Sequence, residues 1–391
     1  DRPPIEGGYV TVVDGRIAEV GPKPPDAGRV EDLGDAILLP GLVNAHTHLE
    51  FSDLERPLGK PGMSLPEWIR LVIGDRKRGD RDAAAAIAAG LKESLNGGVT
   101  TIGEIATSPA THYAGAEQRP AMLQFQEAIG FSGGRVESVF GDVRQRLEAA
   151  TAPKGLSPHA PYSVHPALLE RIVSLARGGG VPVAMHLAES REELQLLDSG
   201  DGPFRELLQE RSMWDAKAIP TGSRPLDYLR ILLDAPRALV IHGNYLAADE
   251  IEFIAQRRQQ MSVVFCPRTH EYFGHSPYPL NVLLAAGARV ALGTDSRASN
   301  PDLNLLAELR HAAMRMPNVG PEQWLRIATL NGAEALGLAN DAGSLTPGKR
   351  ANIIALPCNA GSNAPYASLL DEAVRPHRMW LDGRVVSSVS R

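Results

Sequence analysis

The stretch Pro40-Gly41-Leu42-Val43-Asn44-Ala45-His46-Thr47-His48-Leu49 decides how the whole chain is interpreted. In it, an apolar run ends in two histidines that are one residue apart. Alternate side chains of an extended strand share a face, so His46 and His48 can bind one ion together. Because histidine pairs of this spacing also arise by chance, the metal interpretation depends on partners elsewhere in the chain.

Three later segments supply those partners, since each places a polar group where a short apolar run ends. They are Met185-His186-Leu187-Ala188-Glu189, Ile241-His242-Gly243 and Leu292-Gly293-Thr294-Asp295. A carboxylate after such a run rarely stays buried without a partner, so metal binding explains Asp295, and helix capping is the alternative. His46, His48, His186 and Asp295, with a water, would complete a five-coordinate site for zinc or iron.

Glu189 and His242 are expected beside the metal rather than as its principal ligands. Glu189 follows His186 by three residues, in the loop that leaves the strand, where a carboxylate can act as a proton shuttle. Its alternative role is that of a first-turn glutamate in the next helix, which Glu192 and Glu193 fill better. His242 would donate a hydrogen bond to the metal-bound water, or would contact the metal itself.

Composition excludes several classes of protein. The chain has 391 residues and a formal net charge of -6, which gives no basic footprint for nucleic acid and no charge block for a membrane surface. No apolar run is long enough to span a bilayer. The two cysteines, Cys266 and Cys358, argue against a disulfide scaffold and fit a reducing compartment. A cytoplasmic protein is expected, and a targeting signal upstream of Asp1 stays an open possibility.

Short apolar runs alternate with helical patterns through the middle of the chain. We predict strands at 37–46, 99–104, 122–127, 155–159, 181–186, 238–242, 262–266 and 290–294. We predict helices at 82–95, 167–177, 191–197, 225–233, 247–257, 303–314 and 321–328. This alternation predicts an α/β fold of the (β/α)8 (TIM) barrel type, with the chemical residues at the C-terminal ends of the strands. A doubly wound open sheet is the alternative, although no glycine-rich phosphate loop follows a strand.

Both ends of the chain read as β structure. Residues 8–21 alternate apolar and polar side chains around an Asp-Gly turn, and residues 379–386 form a second hairpin pattern of the same kind. We expect the two ends to meet in one small domain. The predicted division is therefore 1–38 with 342–391 for the terminal domain, and 39–341 for the barrel.

The chain resembles the amidohydrolase superfamily. It is specifically similar to the cytosine deaminase-like branch, which contains nucleoside deaminases, guanine deaminases and triazine hydrolases. The resemblance covers most of the chain and lies in 40–48, Pro158-His159-Ala160-Pro161-Tyr162, His186-Leu187-Ala188-Glu189, His242-Gly243, 293–300 and 345–352. It implies a distorted TIM barrel with a small β-sandwich domain formed by both termini. It also implies that His46, His48, His186 and Asp295 bind the metal and that Glu189 and His242 assist catalysis.

Two departures from the family pattern matter. The predicted fourth barrel strand ends in Ser157-Pro158-His159, with no lysine to bridge two metals, so one divalent ion per chain is expected, zinc favoured and iron possible. The seventh strand is followed by Cys266-Pro267-Arg268-Thr269-His270 instead of the branch's Asn-Pro-x-Ser-Asn motif. This second departure leaves the family's substrate preferences open for this chain.

The resemblance implies a hydrolytic deaminase of an aminated N-heterocycle, in which metal-bound hydroxide attacks the ring and ammonia leaves. The favoured substrate is a small adenine-containing nucleoside of the S-adenosylhomocysteine, methylthioadenosine or aminofutalosine type. The alternative is a hydrolase of the same fold that acts on a non-peptide amide, a halogenated triazine or an imidazolone. A scaffold that has lost catalysis is a rival from another class, but all the predicted ligands are present. By analogy with the family, a homo-oligomer is expected.

Six side chains are candidates for substrate contact. His159 resembles the family's substrate-contacting position, and Ser299 follows Asp295 in the same loop. Trp68 either lines the pocket from the first barrel loop or packs that loop against the barrel. Glu127 either binds ribose hydroxyls or pairs with an arginine. The last two candidates, Arg268 and His270, would form with Arg297 a cationic rim suited to a carboxylated substrate.

Overall fold

Three sheets organise the computed structural model, which describes residues 3–24, 26, 28–77, 79, 81–113, 118–150, 153–358 and 366–386. The strands are, in chain order, β1 (Tyr9–Val13), β2 (Arg16–Gly21), β3 (Ala36–Pro40), β4 (Leu42–Thr47), β5 (Val99–Ala106), β6 (Ala121–Ala128), β7 (Lys154–Pro158), β8 (Val183–Leu187), β9 (Ala238–His242), β10 (Met261–Phe265), β11 (Val290–Leu292), β12 (Ile353–Pro357), β13 (Arg378–Leu381) and β14 (Arg384–Val385). Strands β4 to β11 form one parallel sheet in sequence order.

Helices connect these strands and cover the outside of the large sheet. They are α1 (Leu65–Arg76), α2 (Ala83–Asn96), α3 (Val136–Ala149), α4 (Pro166–Gly179), α5 (Arg191–Ser199), α6 (Pro203–Glu210), α7 (Pro225–Leu232), α8 (Ala248–Ala255), α9 (Pro267–Tyr272), α10 (Leu280–Ala286), α11 (Leu305–Arg315), α12 (Pro321–Ala328), α13 (Leu330–Leu336) and α14 (Ala367–Leu370). Within the described residues, none of these helices has the length and apolarity needed to cross a membrane.

The parallel sheet closes almost completely into a barrel through contacts between its first and last strands. The side-chain amide of Asn44 donates to Thr294 Oγ1 at 2.8 Å, and the backbone N–H of Thr294 donates to the carbonyl of His46 at 3.1 Å. Thr47 and Asp295 form an isolated parallel bridge. The predicted eight-stranded (β/α)8 barrel is therefore confirmed, and the open doubly wound sheet is excluded.

Local sequence signals explain where the helices begin and end. Asp82 caps α2 by accepting a hydrogen bond from the backbone of Ala85 at 3.0 Å, and the alanine-rich run that follows has high helix propensity. The helix α4 starts with Pro166 in its first turn and ends before Gly180, which takes a left-handed conformation. These caps place each helix next to the strand that precedes or follows it.

The terminal strands pack together as two small antiparallel sheets. One contains β1 and β2, and the other has the order β14-β13-β12-β3. Buried Ile17 lies between them with Ala351 and Ile353, and its backbone N–H donates to the carbonyl of Lys349 at 2.9 Å. The predicted association of the two ends is thus confirmed. Residues 359–365 and 387–391 of the predicted terminal domain lie outside the described residues.

The predicted strand 37–46 is wrong in one respect, because it is two strands that belong to different sheets. β3 pairs with β12 in the terminal sheet, whereas β4 pairs with β5 in the barrel. Gly41 lies at the join, where a Cβ atom would overlap the side chain of Thr100. Only glycine permits that approach, so the chain can change sheets within one residue.

Some helices were not predicted from the sequence. The most relevant to the site is α1, which follows the first barrel strand and carries Trp68, a residue expected in a loop. Its N-terminus has a capping box between Ser64 and Glu67, with proline in the first turn. α3, α6, α9, α10, α13 and α14 were also absent from the prediction.

Candidate metal centre and active site

The four predicted metal ligands meet in one buried cluster at the C-terminal ends of the barrel strands. His46 lies near the end of β4, and His48 follows that strand. His186 lies in β8, and Asp295 lies beyond β11. Asp295 Oδ1 is 3.4 Å from His46 Nε2 and 3.6 Å from His48 Nε2. The ring centroids of His46 and His186 are 4.8 Å apart. The barrel therefore brings the other three side chains close to His46.

The donor atoms fit a bound cation. Neither ring nitrogen of His46 has a hydrogen-bond partner, and His48 Nδ1 has none either, although all three atoms are buried among the described residues. An unsatisfied buried nitrogen is costly, and a metal ion on the Asp295 side would satisfy His46 Nε2, because one imidazole offers a metal one ring nitrogen. The potential ligand atoms of His46, His48 and Asp295 lie within 4.8 Å of one another. Three imidazoles and one carboxylate are donors that zinc or iron accepts.

A backbone hydrogen bond fixes the ring orientation of His186, one of the predicted ligands. His186 Nδ1 donates to the carbonyl oxygen of His159 at 3.0 Å, which leaves His186 Nε2 with a lone pair. The partner of the remote nitrogen decides which nitrogen of a liganding imidazole faces the metal. His159 thereby contributes its backbone to the centre, in addition to any role of its ring.

His242 lies on the far side of the cluster and faces two carboxylates. Its Nε2 is 3.4 Å from Glu189 Oε1 and 4.0 Å from Asp295 Oδ2. It also forms a second possible metal-binding group with His46 and His186, whose ligand atoms lie within 4.8 Å of one another. Both roles expected for His242, hydrogen bonding and metal contact, therefore remain within its reach.

Burial lowers the pKa of four imidazoles at the site and favours their neutral forms. Desolvation lowers the pKa of His242 and of His159 to about 3, and it lowers the pKa of His48 and His186 well below the usual value. Burial alone would raise the pKa of Asp295, but its interactions with His46, His242 and His48 outweigh that effect and lower it. Neutral imidazoles and an ionised carboxylate are the protonation states that bind a metal.

Glu189 has the environment of a group that holds and releases a proton. It is buried, and desolvation together with the charges of Asp295 and Glu193 raises its pKa well above that of a free glutamate. Tyr162 Oη donates to Glu189 Oε2 at 3.4 Å. A carboxyl group with raised proton affinity beside a metal cluster is suited to general acid–base work.

The backbone is left-handed at three residues of the site. Ala188, His242 and Asp295 have φ values of 53°, 66° and 56°. Non-glycine residues rarely take this conformation, and they keep it only where surrounding contacts enforce it. Each of these residues leaves or follows a barrel strand, so the chain turns sharply where the chemical groups are needed.

Ser299, a predicted substrate contact, is hydrogen-bonded to Asp295. It is fully buried, and its Oγ donates to Asp295 Oδ2 at 3.2 Å. Thr269 Oγ1 lies 3.0 Å from the same hydroxyl. The backbone carbonyl of Asp295 accepts a further bond from Thr47 Oγ1 at 3.0 Å. These contacts hold the carboxylate in place next to the histidines.

His159 and Trp68 contact different neighbours of the cluster. The ring of His159 is half-buried, 4.8 Å from that of His186, and its Nδ1 lies 2.7 Å from Ser163 Oγ. Trp68 Nε1 donates to the carbonyl of Ala298 at 3.0 Å. Trp68 thus attaches α1 to the loop that carries Asp295, which is the packing role considered for it.

Arg268 and Arg297, predicted for a cationic rim, both form ion pairs within the protein. Arg268 Nε donates to Glu308 Oε1 at 2.6 Å, and its Nη2 donates to Asp302 Oδ1 at 2.6 Å. Arg297 pairs with Glu93 at 2.5 Å. Two carboxylates thus balance the charge of Arg268.

The other two candidates, His270 and Glu127, lie in different parts of the site. His270 Nδ1 donates to Asn244 Oδ1 at 3.0 Å, on the side of His242. Glu127 is the penultimate residue of β6 and is buried, with Arg76 Nη2 4.0 Å from its Oε2. Burial raises the pKa of Glu127 to about 7. The arginine pairing considered for Glu127 is thus present at long range.

Several residues that shape the site were missed in the sequence. Glu193 accepts hydrogen bonds from the backbone around Glu189, and Asn244 donates to the Glu189 carbonyl at 2.9 Å. Tyr162 contacts the Glu189 carboxyl, and Arg76 pairs with Glu50 next to Glu127. Two signals were available, since Ser190 and Glu193 form the Ser-x-x-Glu pattern of a capping box and Tyr162 ends the quoted Pro-His-Ala-Pro-Tyr motif.

Comparison with known proteins agrees with this geometry. The model of the family described as the amidohydrolase family matches residues 37–386. A 5-methylthioadenosine/S-adenosylhomocysteine deaminase of Moorella thermoacetica is 32% identical over 379 residues, covering 90% of this chain and 82% of the relative. An aminodeoxyfutalosine deaminase of Deinococcus radiodurans is 30% identical over 356 residues, covering 84% of this chain and 81% of the relative.

The fold of the chain is also similar to that of a solved structure. An adenosine deaminase from Xanthomonas campestris, crystallised with bound zinc, superposes with a TM-score of 0.77 at 26% sequence identity, and the match covers 96% of this chain and 87% of that one. The match of the family model spans nearly the whole barrel and reaches into the terminal sheets. The chain therefore belongs to the amidohydrolase family, as a hydrolase of carbon–nitrogen bonds.

Proposed function

We propose that this enzyme is a metal-dependent deaminase of an adenine-containing nucleoside. The observation that carries the proposal is the buried cluster of His46, His48, His186 and Asp295 with the proton-holding Glu189 beside His242. Relatives at about 30% identity are deaminases of methylthioadenosine, S-adenosylhomocysteine and aminodeoxyfutalosine. We therefore place the substrate of this chain in the same chemical class.

One divalent ion per chain would be held by the three histidines and Asp295. When bound, the ion would lower the pKa of water and so supply a nucleophile at neutral pH. Zinc is favoured because the Xanthomonas relative contains it, and iron is the alternative. Lys154 lies at the start of β7, far from the C-terminal end, and donates to the carbonyl of Leu147 at 2.8 Å. It is not in position to bridge a second ion.

The protein's own side chains would move the protons of the reaction. Glu189 would accept a proton from the attacking water and deliver it to a ring nitrogen of the base, which makes the adjacent carbon electrophilic. His242, whose Nε2 is 3.4 Å from Glu189 Oε1, would hydrogen-bond the attacking oxygen. Asp295 would pass the remaining proton to the leaving amine, and ammonia would depart.

The side chains around the cluster help to choose among the candidate substrates. His159 and Glu127 are the side chains that we assign to the base and to the sugar hydroxyls, because His159 is half-buried and the ion pair of Glu127 with Arg76 is long, at 4.0 Å. Arg268 and Arg297 are neutralised by carboxylates, so neither supports the binding of a carboxylated tail. Methylthioadenosine, whose 5′ substituent is uncharged, is therefore the first substrate to test among the three.

The test is ammonia release by the metal-loaded protein from methylthioadenosine, S-adenosylhomocysteine, aminofutalosine and adenosine, with a chlorinated triazine and a cyclic amide as comparison compounds. Ammonia together with the inosine-type absorbance change from at least one nucleoside is the expected result. Turnover of the triazine or the amide, without turnover of any nucleoside, would replace the proposal with its alternative.

A further inference from the structure

Glu193 is a buried carboxylate at the site that the proposed proton transfers do not use. It is 0% exposed and lies in the first turn of α5, four residues after Glu189. Burial raises its pKa to about 7, so the fold bears a cost to keep a carboxyl group there. A buried acid in this position needs a reason beyond helix capping, and its contacts provide one.

The two oxygens of Glu193 bind the two peptide groups that lead into the proposed proton shuttle. Oε1 accepts from the backbone N–H of Ala188 at 2.8 Å, and Oε2 accepts from the backbone N–H of Glu189 at 2.9 Å. Ala188 is one of the left-handed residues, with a φ of 53°. A single carboxylate therefore holds a strained turn closed directly before Glu189.

The other side of the same turn is attached to the neighbouring strand. The side-chain amide of Asn244 donates to the carbonyl of Glu189 at 2.9 Å, and the backbone N–H of Tyr245 donates to the carbonyl of Ala188 at 3.0 Å. The backbone N–H and the backbone carbonyl of both Ala188 and Glu189 are thus hydrogen-bonded. The carboxyl of Glu189 meanwhile faces His242 with its Oε1, 3.4 Å from His242 Nε2, while its Oε2 accepts from Tyr162 Oη at 3.4 Å.

We propose that Glu193 is a positioning residue that fixes the carboxyl of Glu189 against the metal cluster. This inference rests on the proposed function, because it takes Glu189 as the proton shuttle. Without the two bonds the left-handed turn would relax, and Glu189 would lose its alignment with His242. Loss of such a supporting contact typically lowers activity by about 10- to 100-fold.

Two variants of adjacent glutamates separate positioning from helix stability. Glu193→Gln keeps the size of the side chain but replaces one acceptor oxygen with a donor that faces a backbone N–H. Glu192→Gln removes the same charge from the same helical turn, where the side chain is only half-buried. We expect Glu193→Gln to lower kcat about 10- to 100-fold with little change in KM or metal content, and Glu192→Gln to match the unsubstituted enzyme.

A double-mutant cycle distinguishes action through Glu189 from general damage. If Glu193 acts by placing Glu189, then Glu193→Gln has almost no further effect on kcat in an enzyme that already carries Glu189→Gln. If it acts independently, the two losses multiply. Multiplying losses would overturn the proposal, as would a kcat loss that appears equally in Glu192→Gln.

Hydrogen–deuterium exchange tests the positioning without any substrate. Peptides that contain residues 187–190 should exchange faster in Glu193→Ala than in the unsubstituted protein or in Glu192→Ala, while peptides from α4 keep their protection. Unchanged exchange at 187–190 would overturn the positioning role. This measurement needs no turnover. If the protein deaminates no nucleoside, the proposed function is refuted, and the exchange result still decides whether Glu193 holds the turn.

Discussion

At the scale of single residues, the sequence could point to the candidate ligands but not to the groups that support them. His46, His48, His186 and Asp295 each end an apolar run, and this pattern is local and visible in one sequence. The roles of Ser299 and Asn244 depend on partners 4 and 55 residues away that only the folded chain brings together. A polar side chain near a motif is therefore as often a support as a contact for substrate.

Glu189→Gln tests the proton shuttle. An amide of the same shape cannot accept and return a proton, so kcat should fall by about 10²- to 10⁴-fold while the metal stays bound. Steady-state kinetics with metal analysis by mass spectrometry gives both numbers. Activity within threefold of the unsubstituted enzyme would remove Glu189 from the mechanism.

Arg268→Ala tests whether Arg268 is a structural ion-pair residue or part of a cationic rim for the substrate. Removing the guanidinium leaves Glu308, which is fully buried, without its ionic partner, and the free energy of unfolding should fall by about 3 to 5 kcal/mol. KM for an anionic nucleoside and for adenosine should change by the same factor. As a control, Arg230→Ala breaks an exposed pair with Asp227 and should change stability by less than about 1 kcal/mol. A rise in KM for the anionic nucleoside alone would favour the rim.

Glu127→Gln tests the pH dependence of stability. Burial raises the folded-state pKa of Glu127 to about 7, above its unfolded value, so the folded protein binds the proton more tightly. The stability that this proton contributes is present at acid pH and is lost as pH rises from about 4.5 through 7. Because glutamine does not titrate, the variant does not lose this contribution. Its Tm relative to that of the unsubstituted protein should therefore increase as pH rises from 5 to 8. A constant difference in Tm across that range would contradict the raised pKa.

At the scale of elements, most strands were predicted because a buried parallel strand is a short apolar run. β9 and α12 agree with the prediction to the residue. The split of 37–46 into β3 and β4 could not be predicted, because an apolar run does not reveal that its two halves pair with different sheets. α1 was not predicted, although Ser64 and Glu67 form a capping-box pattern with proline in the first turn.

Gly41→Ala tests the join between the two sheets. The added methyl group would overlap the side chain of Thr100, and overpacking of this kind typically lowers the free energy of unfolding by about 1 to 3 kcal/mol. Gly141→Ala, on α3 with open space around the new Cβ atom, is the matched control and should stabilise by about 0.5 to 1 kcal/mol. Combining Gly41→Ala with Thr100→Ala should recover part of the loss. Denaturant unfolding that gives equal stability for both glycine variants would refute the steric account.

At the scale of the whole molecule, the barrel and the terminal sheets are linked by the chain itself and by buried contacts. β3 leads directly into the first barrel strand, and Arg310 of α11 donates to the carbonyl of Leu369 at 2.8 Å. The division at residues 38 and 342 remains a prediction that these contacts neither move nor test. A homo-oligomer and a cytoplasmic location are likewise still predictions, the first of them open to light scattering.

The central claim is that one metal ion, held by His46, His48, His186 and Asp295, makes this chain a nucleoside deaminase. The most direct measurement is to titrate metal-free protein with zinc while following ammonia release from methylthioadenosine. The account predicts that activity rises linearly and stops rising at one zinc per chain, and that Asp295→Asn gives no comparable rise. Full activity in metal-free protein, or a rise that continues to two zinc ions per chain, would contradict it.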